Sequence, residues 1–419
     1  MRRLPFVAPV MAVLSLVAGG CALSTSPEPL VVGAIYPTTG SQAPGGGAEA
    51  RGVDLAVEWA NTHGGVHGRP LSLAVLDTPR AEAVPAAMAS LRRRGVSVVI
   101  GSHGSPISAV AADVATQEGM SFWETGAVGQ VGPDAAGSRN FFRLSPMGAN
   151  LGRAAISFVR DELAAKLAPT RPLRYAVAFV DDAYGRAVGE GAAAEASAAG
   201  GDGLVGTFPY DAATTDFGEL AGRIGAVAPD VLFVSAYLDD GIALRRAVVA
   251  AGIPLAANIG TSSSYCMPSF GEALGDAAVG LFASDKPDAA DVRPDALSEE
   301  GRQALAWVSR RYEDRYHEPM DAPALAGFAN ASALLTHVLP AATSLRAGDV
   351  AAAAGRVKLA RGTLANGAGL DLAPPDAPDA GANRNAAGVI WEWVAPRTRA
   401  VVWPPAYASH PIVAPPVGP

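Results

Sequence analysis

The sequence predicts an α/β protein built from two doubly wound, mostly parallel sheets. Short continuous apolar runs alternate with amphipathic helical segments along most of the chain, and this alternation occurs in two separate series. Uninterrupted apolar strands indicate parallel sheets covered by helices on both faces. The chain has 419 residues and is 49% hydrophobic, which is enough for more than one core. Two series therefore predict two lobes.

The first series begins with a strand at residues 30–36, followed by a Gly-rich loop at 40–47 and a helix at 49–61. The helix is predicted because its apolar residues recur at helical spacing. The remaining segments alternate in the same way: strand 71–77, helix 82–94, strand 96–101, helix 105–118 and the apolar segment 121–126.

The second series repeats the pattern and is followed by a different tail. Its segments are helix 150–166, strand 175–180, a helix after Tyr184, strand 204–210, helix 216–227, strand 231–237, helix 241–251 and strand 255–260. Residues 298–344 are mostly helical by their apolar spacing. The region 362–387 is rich in Gly, Pro, Asn and Asp, and the two apolar segments after it, 388–393 and 399–403, predict short antiparallel strands.

The N-terminus has the pattern of an export signal. Arg2 and Arg3 precede an apolar run from residue 4 to residue 18, and small residues then lead to Cys21. This run is short for a membrane span, and its flanks fit a cleaved signal. A cysteine directly after the small residues predicts a lipoprotein signal at residues 1–21, with Cys21 as the lipidated first mature residue and membrane anchor. The alternative is an ordinary signal peptide that contains a cysteine.

Charge and cysteine content exclude several classes of function. The net charge of -8 comes from 40 acidic and 32 basic residues spread along the chain, so we predict no nucleic-acid partner. Cys266 is the only other cysteine, so the mature chain cannot form an intramolecular disulfide. No G-x-x-x-x-G-K loop is present and the glycine run at 45–47 lacks the G-x-G-x-x-G spacing, so we predict no cofactor.

The sequence lacks the groupings that catalysis requires. It contains no G-x-S-x-G elbow for a hydrolase nucleophile. His63 and His67 have a ligand-like spacing, but glycines lie between them and no HExxH motif is present, so we predict no metal site. An enzyme on this fold is the alternative, which turnover of candidate amides would reveal.

Several local phrases follow one another in a definite order. They are VGAIYPTTG at 32–40, GVDLAVEWAN at 52–61, GGVHG at 64–68, VIGSHGS at 99–105, FFR at 141–143, DDAYG at 181–185 and GLF at 280–282. Their order and spacing resemble the leucine/isoleucine/valine-binding protein family, the type I periplasmic solute-binding proteins. The resemblance extends over roughly residues 30–403. It implies two lobes joined by a three-strand hinge, a monomer, and an ABC transporter whose permease and ATPase are separate chains.

The resemblance also implies where the chain crosses between lobes. The expected crossings are near residues 143–146, 283–286 and 362–371. The corresponding divisions are 29–145 with 284–365 for the first lobe, 146–283 with 366–405 for the second lobe, and 406–419 for a C-terminal tail.

The ligand is expected between the lobes, beyond the carboxyl ends of the strands. The Ser102–Ser105 turn follows a strand and opens a helix, so its backbone N–H groups and the Ser105 hydroxyl suit a carboxylate or another acceptor. In the family, the positions matching Ser105, Thr125 and Ala127 hold the ligand's carboxylate and amine. The alternative is that Ser105 simply caps its helix.

The second wall of the site comes from two tyrosines. The family's ligand-contacting aromatic residues correspond to Tyr184 and Tyr237, whose rings and hydroxyls can close over a polar solute. The alternative is a pair of tyrosines at the edge of the core.

This chain departs from the family pattern at two positions. The acid that neutralises an amino acid's ammonium aligns near Ser262, in a stretch that has no carboxylate, and a first-lobe aromatic aligns near Gly45. Asp239, Asp240 or Glu124 could supply the missing charge, because a desolvated ammonium needs a partner. They could equally be solvated or capping residues.

The expected ligand contacts are Ser102, Ser105, Trp123, Glu124, Thr125, Ala127, Tyr184, Tyr237, Asp239 and Ser262. A zwitterionic amino acid, a neutral amide, a urea-like compound or a small carboxylate fits this wall. The expected function is a lipid-anchored, extracytoplasmic substrate-binding protein of an ABC importer, which binds a small polar solute by hinge closure. The alternative is a ligand-sensing or regulatory protein on the same fold.

Overall fold

A computed structural model of the protein describes residues 27–130, 138–198, 203–377 and 379–413. The predicted signal with its lipidation site, Cys21, lies outside the described residues. Two mostly parallel sheets with interleaved helices confirm the predicted α/β class. We refer to the first sheet with its helices as the first lobe and to the second sheet with its helices as the second lobe.

The first sheet has five parallel strands in the order β2-β1-β3-β4-β5. They are β1 (Leu30–Tyr36), β2 (Leu71–Asp77), β3 (Val98–Gly101), β4 (Ser121–Glu124) and β5 (Phe141–Arg143). The helices between them are α1 (Ala43–Thr62), α2 (Val84–Arg93) and α3 (Ser105–Gln117). Every residue of β3, β4 and β5 is buried, as their continuous apolar runs predict.

The second sheet has seven strands in the order β12-β11-β10-β9-β8-β6-β7. They are β6 (Tyr175–Val180), β7 (Leu204–Tyr210), β8 (Val231–Ser235), β9 (Ala257–Thr261), β10 (Phe282–Asp285), β11 (Val389–Ala395) and β12 (Thr398–Trp403). Strands β6 to β10 are parallel, whereas β11 runs antiparallel to both β10 and β12. The two antiparallel strands predicted for the tail are therefore confirmed.

The helices of the second lobe lie on both faces of this sheet. They are α4 (Gly148–Phe158), α5 (Ala164–Leu167), α6 (Ala183–Ala198), α7 (Phe217–Ala226), α8 (Leu238–Ala250) and α9 (Pro268–Leu274). Asp216 caps α7 by accepting hydrogen bonds from the N–H groups of Gly218 and Glu219.

The first lobe also receives the helical region that follows β10. Its helices are α10 (Glu299–Tyr316), α11 (Ala322–Ser332), α12 (Leu339–Ala341) and α13 (Ala347–Arg356). The run Ala322–Ala341 is long and apolar enough to cross a membrane by composition, but 89% of its most apolar window is buried inside the protein. It is a core element, packed closely on α1 because neither Gly52 nor Gly327 has a side chain: a Cβ on either would lie within 2.2 Å of a carbonyl oxygen of the other helix.

Helix α1 begins earlier than the sequence predicts. The Gly-rich segment expected as a loop forms its first turn, starting at Ala43 with Pro44 in the opening turn, where the fixed φ of proline suits a helix start. A Cβ on Gly46 would lie 2.4 Å from the carbonyl oxygen of Pro37. These glycines therefore allow close packing of the helix start against the end of β1.

The chain passes between the lobes three times in the described residues. The first passage follows β5 and the second follows β10, close to the predicted crossings at 143–146 and 283–286. The predicted third crossing, at 362–371, is wrong. Leu364, Ala368 and Leu370 lie in the core of the first lobe, and the chain enters the second sheet only at Val389. The turn-rich composition of this segment instead forms a loop packed on the first lobe, with Leu370 paired to Leu359.

Candidate functional site

A narrow cleft lies between the two lobes, where loops at the carboxyl ends of several strands face one another. The first lobe contributes Gln42, His103, Gly104, Ser105, Gly126, Val128 and Pro323 to its lining; the second contributes Tyr184, Tyr237, Ser262, Ser263 and Met267; the passage after β10 contributes Asp285 and Lys286. This is the position that open parallel sheets favour for a ligand.

The lobes are close together in this structure. The cavity enclosed by the lining residues measures about 20 Å³, which is space for about one water molecule. Val128 and Ala322 belong to loops and helices of the first lobe, yet they pack into the hydrophobic core of the second. A solute larger than water therefore reaches these side chains only if the lobes move apart.

Ser105 lies in the cleft wall, as the sequence predicts. It is 3% exposed, and its hydroxyl oxygen accepts a hydrogen bond from the N–H of Gly129 at 2.9 Å. The hydroxyl proton remains available as a donor. The alternative of a capping serine is wrong, because α3 begins at Ser105 itself and Gly104 occupies the N-cap position.

Ser102 and Glu124 bind each other rather than line the cleft. The Glu124 carboxylate accepts backbone N–H groups from Ser102 at 2.9 Å and from Gly126 and Ala127 at 2.8 Å each. Burial raises the pKa of Glu124, and the nearby charge of Glu49 adds to the effect. In this structure these groups hold the loop after β4 in shape and do not line the cleft, and a ligand contact by Ser102, Glu124 or the Ala127 N–H stays a prediction.

The side chains of Trp123 and Thr125 also lie inside the first lobe and form their hydrogen bonds there. The indole N–H of Trp123 donates to the backbone oxygen of Asn330 at 2.8 Å, and the ring lies in the core. The Thr125 hydroxyl donates to Glu49 at 2.5 Å. Both side chains are fully buried and neither lines the cleft, because the cleft is at the strand end whereas these residues face the helices.

His103 takes the place of the first-lobe aromatic that aligns near Gly45. A Cβ on Gly45 would lie 2.3 Å from Nε2 of His103, so the imidazole occupies the space that a larger residue at 45 would fill. Nδ1 of His103 lies 2.8 Å from the Glu49 carboxylate. The backbone of His103 has φ 73°, a left-handed conformation that is strained for a residue with a side chain. His103 is not among the ligand contacts predicted from the sequence, although it stands inside the VIGSHGS phrase.

The two tyrosines form the opposite wall. The rings of Tyr184 and Tyr237 lie 5.3 Å apart, and the Tyr184 hydroxyl lies 2.7 Å from the hydroxyl of Thr261. The Tyr237 hydroxyl donates to Asp182 at 2.7 Å. Both tyrosines line the cleft, so the expectation from the DDAYG phrase and the later strand end agrees with their position.

The candidates for a missing acidic partner lie elsewhere. Asp239 is exposed in the first turn of α8 and does not line the cleft. Asp240 accepts the hydroxyl of Tyr210 at 2.6 Å and the N–H of Tyr237 at 3.2 Å. Ser262 does line the cleft, with its hydroxyl 3.5 Å from the hydroxyl of Tyr184.

An acid and a base that are not among the ligand contacts predicted from the sequence lie at the end of β10. Asp285 and Lys286 are 2% and 5% exposed, and the Lys286 ammonium lies 3.9 Å from Oδ1 of Asp285. It donates to the backbone oxygen of Gly126 at 3.2 Å. Burial opposes the charge of Lys286, but Asp285 and Glu49 outweigh it and raise the pKa. Lys286 is therefore an ammonium at neutral pH.

The two histidines with ligand-like spacing bind backbone groups. His63 Nδ1 lies 2.8 Å from the oxygen of Trp59, and His67 Nε2 lies 3.0 Å from that of Ala342. Within the described ranges, no group of three or more His, Cys, Asp or Glu side chains could hold a metal ion.

The fold and the cleft define a class of protein: two α/β lobes that present polar side chains to a common cleft. The sequence profile of the periplasmic binding protein family matches residues 29–374. The chain belongs to this family, which confirms the resemblance drawn from the local phrases.

Curated relatives and solved structures agree with this assignment. The chain is 26% identical to Leu/Ile/Val-binding protein homolog 7 of Brucella melitensis over 267 residues, which is 63% of this chain and 66% of the relative. Homolog 8 of Brucella abortus is 27% identical over 258 residues, 60% of this chain and 63% of the relative. The matched region thus spans slightly under two thirds of these relatives.

Among solved structures, a leucine-binding protein, LivK, from Thermotoga maritima superposes with a TM-score of 0.73 at 18% identity, with coverage of 89% of this chain and 97% of that chain. LivJ from Streptococcus pneumoniae, in complex with isoleucine, gives 0.70 at 19% identity, with coverage of 90% and 100%. A solute-binding protein of Rhodopseudomonas palustris, in complex with benzoate, gives 0.69 at 20% identity, with coverage of 93% and 98%. These structures show the type I periplasmic binding fold.

Proposed function

We propose that this protein is the extracytoplasmic substrate-binding component of an ABC importer and binds a small polar solute between its lobes. The observation that carries the proposal is the composition of the cleft, in which hydroxyl, amide and charged groups from both lobes converge. A site with few, oriented polar groups in a deep cleft is typical of small-molecule recognition. The complex of LivJ with isoleucine and the complex of the Rhodopseudomonas palustris solute-binding protein with benzoate support a small solute as the class of ligand.

The lobes would open and close around the solute. The cavity of about 20 Å³ is smaller than an amino acid, so binding requires separation of the lobes followed by closure. The passages after β5 and β10 provide the hinge. Solute binding should therefore reduce the radius of gyration measured by small-angle X-ray scattering.

One experiment tests whether both lobes contact the same solute. The protein without residues 1–21 is screened by thermal shift against amino acids, amides, ureas and small carboxylates, since a true ligand raises Tm by mass action. Gln42→Ala removes a contact from the first lobe, and Ser262→Ala removes one from the second. Each should weaken binding of the same solute. Gln303→Ala, on the surface of α10, is the matched control and should leave binding unchanged.

A solute whose affinity is unchanged in both cleft variants would contradict this function. The opposite result, loss of affinity in both with Tm of the free protein retained, supports it. A site confined to one lobe would weaken in only one of the two variants and would contradict hinge closure.

The proposal includes a membrane anchor and a membrane partner. Lipidation at Cys21 would hold the protein at the outer face of a membrane, where a separate permease receives the solute. Replacement Cys21→Ala should release the protein from the membrane fraction and remove the lipid mass from the mature N-terminus. We propose a monomer, which light scattering of the purified protein measures directly.

A further inference from the structure

Two buried acceptor oxygens in the cleft lining have no hydrogen-bond partner among the residues that the structure describes. They are Oε1 of Gln42, from the first lobe, and Oδ1 of Asp285, at the end of β10. Buried polar atoms in folded proteins are almost always paired, because an unpaired one loses its hydration without replacement. Both atoms therefore require a donor that protein groups in the cleft do not supply.

The surroundings of Asp285 leave this one oxygen for a ligand. Its other oxygen, Oδ2, lies 2.9 Å from Sγ of Cys266, whose single thiol proton it shares with the backbone oxygen of Ser262 at 2.6 Å. Burial raises the pKa of Cys266 well above its usual value, and the charge of Asp285 adds to this, so the thiol stays protonated and remains a donor. Oδ1 is 3.9 Å from the Lys286 ammonium, which is too far for a direct hydrogen bond.

Lys286 supplies the complementary group beside it. The ammonium has three protons, and one of them is used by the backbone oxygen of Gly126. Asp285 and Lys286 thus present an acceptor and a donor next to each other, with opposite charges and with unused hydrogen-bonding capacity on both.

The amide of Gln42 adds a second acceptor from the opposite lobe. Its oxygen lies so close to Gly104 that a Cβ there would approach it to 2.1 Å. The absence of a side chain at Gly104 therefore allows the Gln42 amide to reach the cleft.

We propose that the solute carries an ammonium or amide nitrogen whose N–H groups pair with Asp285, and a carboxylate or carbonyl oxygen that pairs with Lys286. This inference rests on the proposed function and narrows its solute class to zwitterionic amino acids and small amides. A carboxylate without nitrogen would leave both acceptors unpaired and would place a second negative charge beside Asp285. Asp285 thus takes the role for which the sequence suggested Asp239, Asp240 or Glu124.

The test compares solutes that differ only in their nitrogen. Isothermal titration calorimetry of the wild-type protein measures leucine against 4-methylpentanoate, and propionamide against propionate. We expect the nitrogen-bearing member of the better-binding pair to bind at least about tenfold more tightly, because a hydrogen bond to a charged group is lost in the other. This comparison uses only the wild-type protein, so its result does not depend on whether the variants fold.

The second arm uses Asp285→Asn, which keeps the shape and removes the charge. It should weaken binding of a zwitterion by at least about tenfold and of a neutral amide by only a few fold, so the two nitrogen classes are distinguished. Glu392→Gln is the matched control: it changes a buried carboxylate on β11, 1% exposed, that does not line the cleft.

Two outcomes would overturn the inference. One is equal or tighter binding of a nitrogen-free carboxylate such as 4-methylpentanoate or propionate. The other is a folded Asp285→Asn protein, with Tm close to that of the wild type, that retains affinity for a zwitterion. Either result leaves the proposed function standing, whereas a solute that binds independently of Gln42 and Ser262 contradicts that function.

Discussion

Replacement of Glu124 tests whether this residue contacts the ligand or holds the protein together. In the structure its carboxylate accepts the buried N–H groups of Ser102, Gly126 and Ala127. Glu124→Ala leaves all three unpaired, at about 1–3 kcal/mol each. Because relaxation and water entry reduce such sums, we expect the free energy of unfolding to fall by about 3–5 kcal/mol.

The isosteric change Glu124→Gln should be much milder. The glutamine retains one oxygen for the three N–H donors, and its NH₂ group can face the Ser102 hydroxyl, so we expect a loss of about 1 kcal/mol at neutral pH. The difference in unfolding free energy between the wild type and Glu124→Gln should depend on pH. Burial, together with the charge of Glu49, raises the pKa of Glu124 above its usual 4.5. The folded state therefore holds this proton more tightly than the unfolded state does.

The direction of this pH dependence follows from the difference in proton affinity between the folded and unfolded states. The carboxyl group contributes most stability below about pH 4.5, and its contribution is lost as the pH rises through the raised folded pKa. Wild-type stability relative to Glu124→Gln should thus fall with rising pH.

Urea denaturation followed by circular dichroism measures these changes, and solute titration of the same samples measures binding. Glu313→Ala, an exposed acid on α10, should change stability by less than about 0.5 kcal/mol. A loss of unfolding free energy in Glu124→Ala no larger than that in Glu313→Ala would contradict the structural role of Glu124. The same role is contradicted if Glu124→Gln abolishes solute binding while stability is unchanged, since Glu124 would then be a ligand contact.

Three further predictions concern packing and ionisation. Gly52→Ala should destabilise the protein by several kcal/mol in thermal unfolding, because the new Cβ would lie 2.0 Å from a backbone oxygen of α11. A Cβ at Gly47, in the same helix, would meet nothing within 4 Å, so Gly47→Ala should stabilise the protein by about 0.5–1 kcal/mol. Equal effects of the two changes would contradict the close helix contact. Asn330→Leu removes a donor to the loop after β4 and should cost about 1–3 kcal/mol in chemical denaturation; no loss would mean that this bond is dispensable. Burial raises the pKa of Asp291 to about 6 and of Glu392 to about 7, so the free energy of unfolding should fall as the pH rises from about 4 to 7. Glu392→Gln should make this pH dependence less steep. An unchanged pH dependence in this variant would refute the raised pKa of Glu392.

The fold was predictable because its signals are local. A buried parallel strand needs an unbroken apolar run, and such runs mark β1, β6 and β8 without reference to the rest of the chain. The third crossing was not predictable in this way. Residues 362–387 have turn-forming composition but no periodicity, so only tertiary packing on the first lobe decides where they lie.

The cleft was predictable to within a segment but not to within a residue. Trp123 and Thr125 belong to a segment in which every residue from 121 to 125 is buried, and the chain reaches the cleft only at Gly126 and Val128. The apolar pattern marks this strand but does not mark the residue at which its buried part ends. By contrast, Tyr184 and Ser105 stand in the first turns of the helices that follow β6 and β3, and both line the cleft.

The charged pair at the end of β10 bears on both solute choice and closure. Asp285 and Lys286 are consecutive residues, so in the proposed binding mode a solute that contacts both remains on the same segment whether the lobes are open or closed. A ligand shifts a conformational equilibrium only by its difference in affinity for the two states. The pair therefore selects the solute, whereas closure depends on groups of the first lobe that meet the same solute when the lobes approach, such as the Gln42 amide and the Gly126 backbone oxygen that accepts from Lys286.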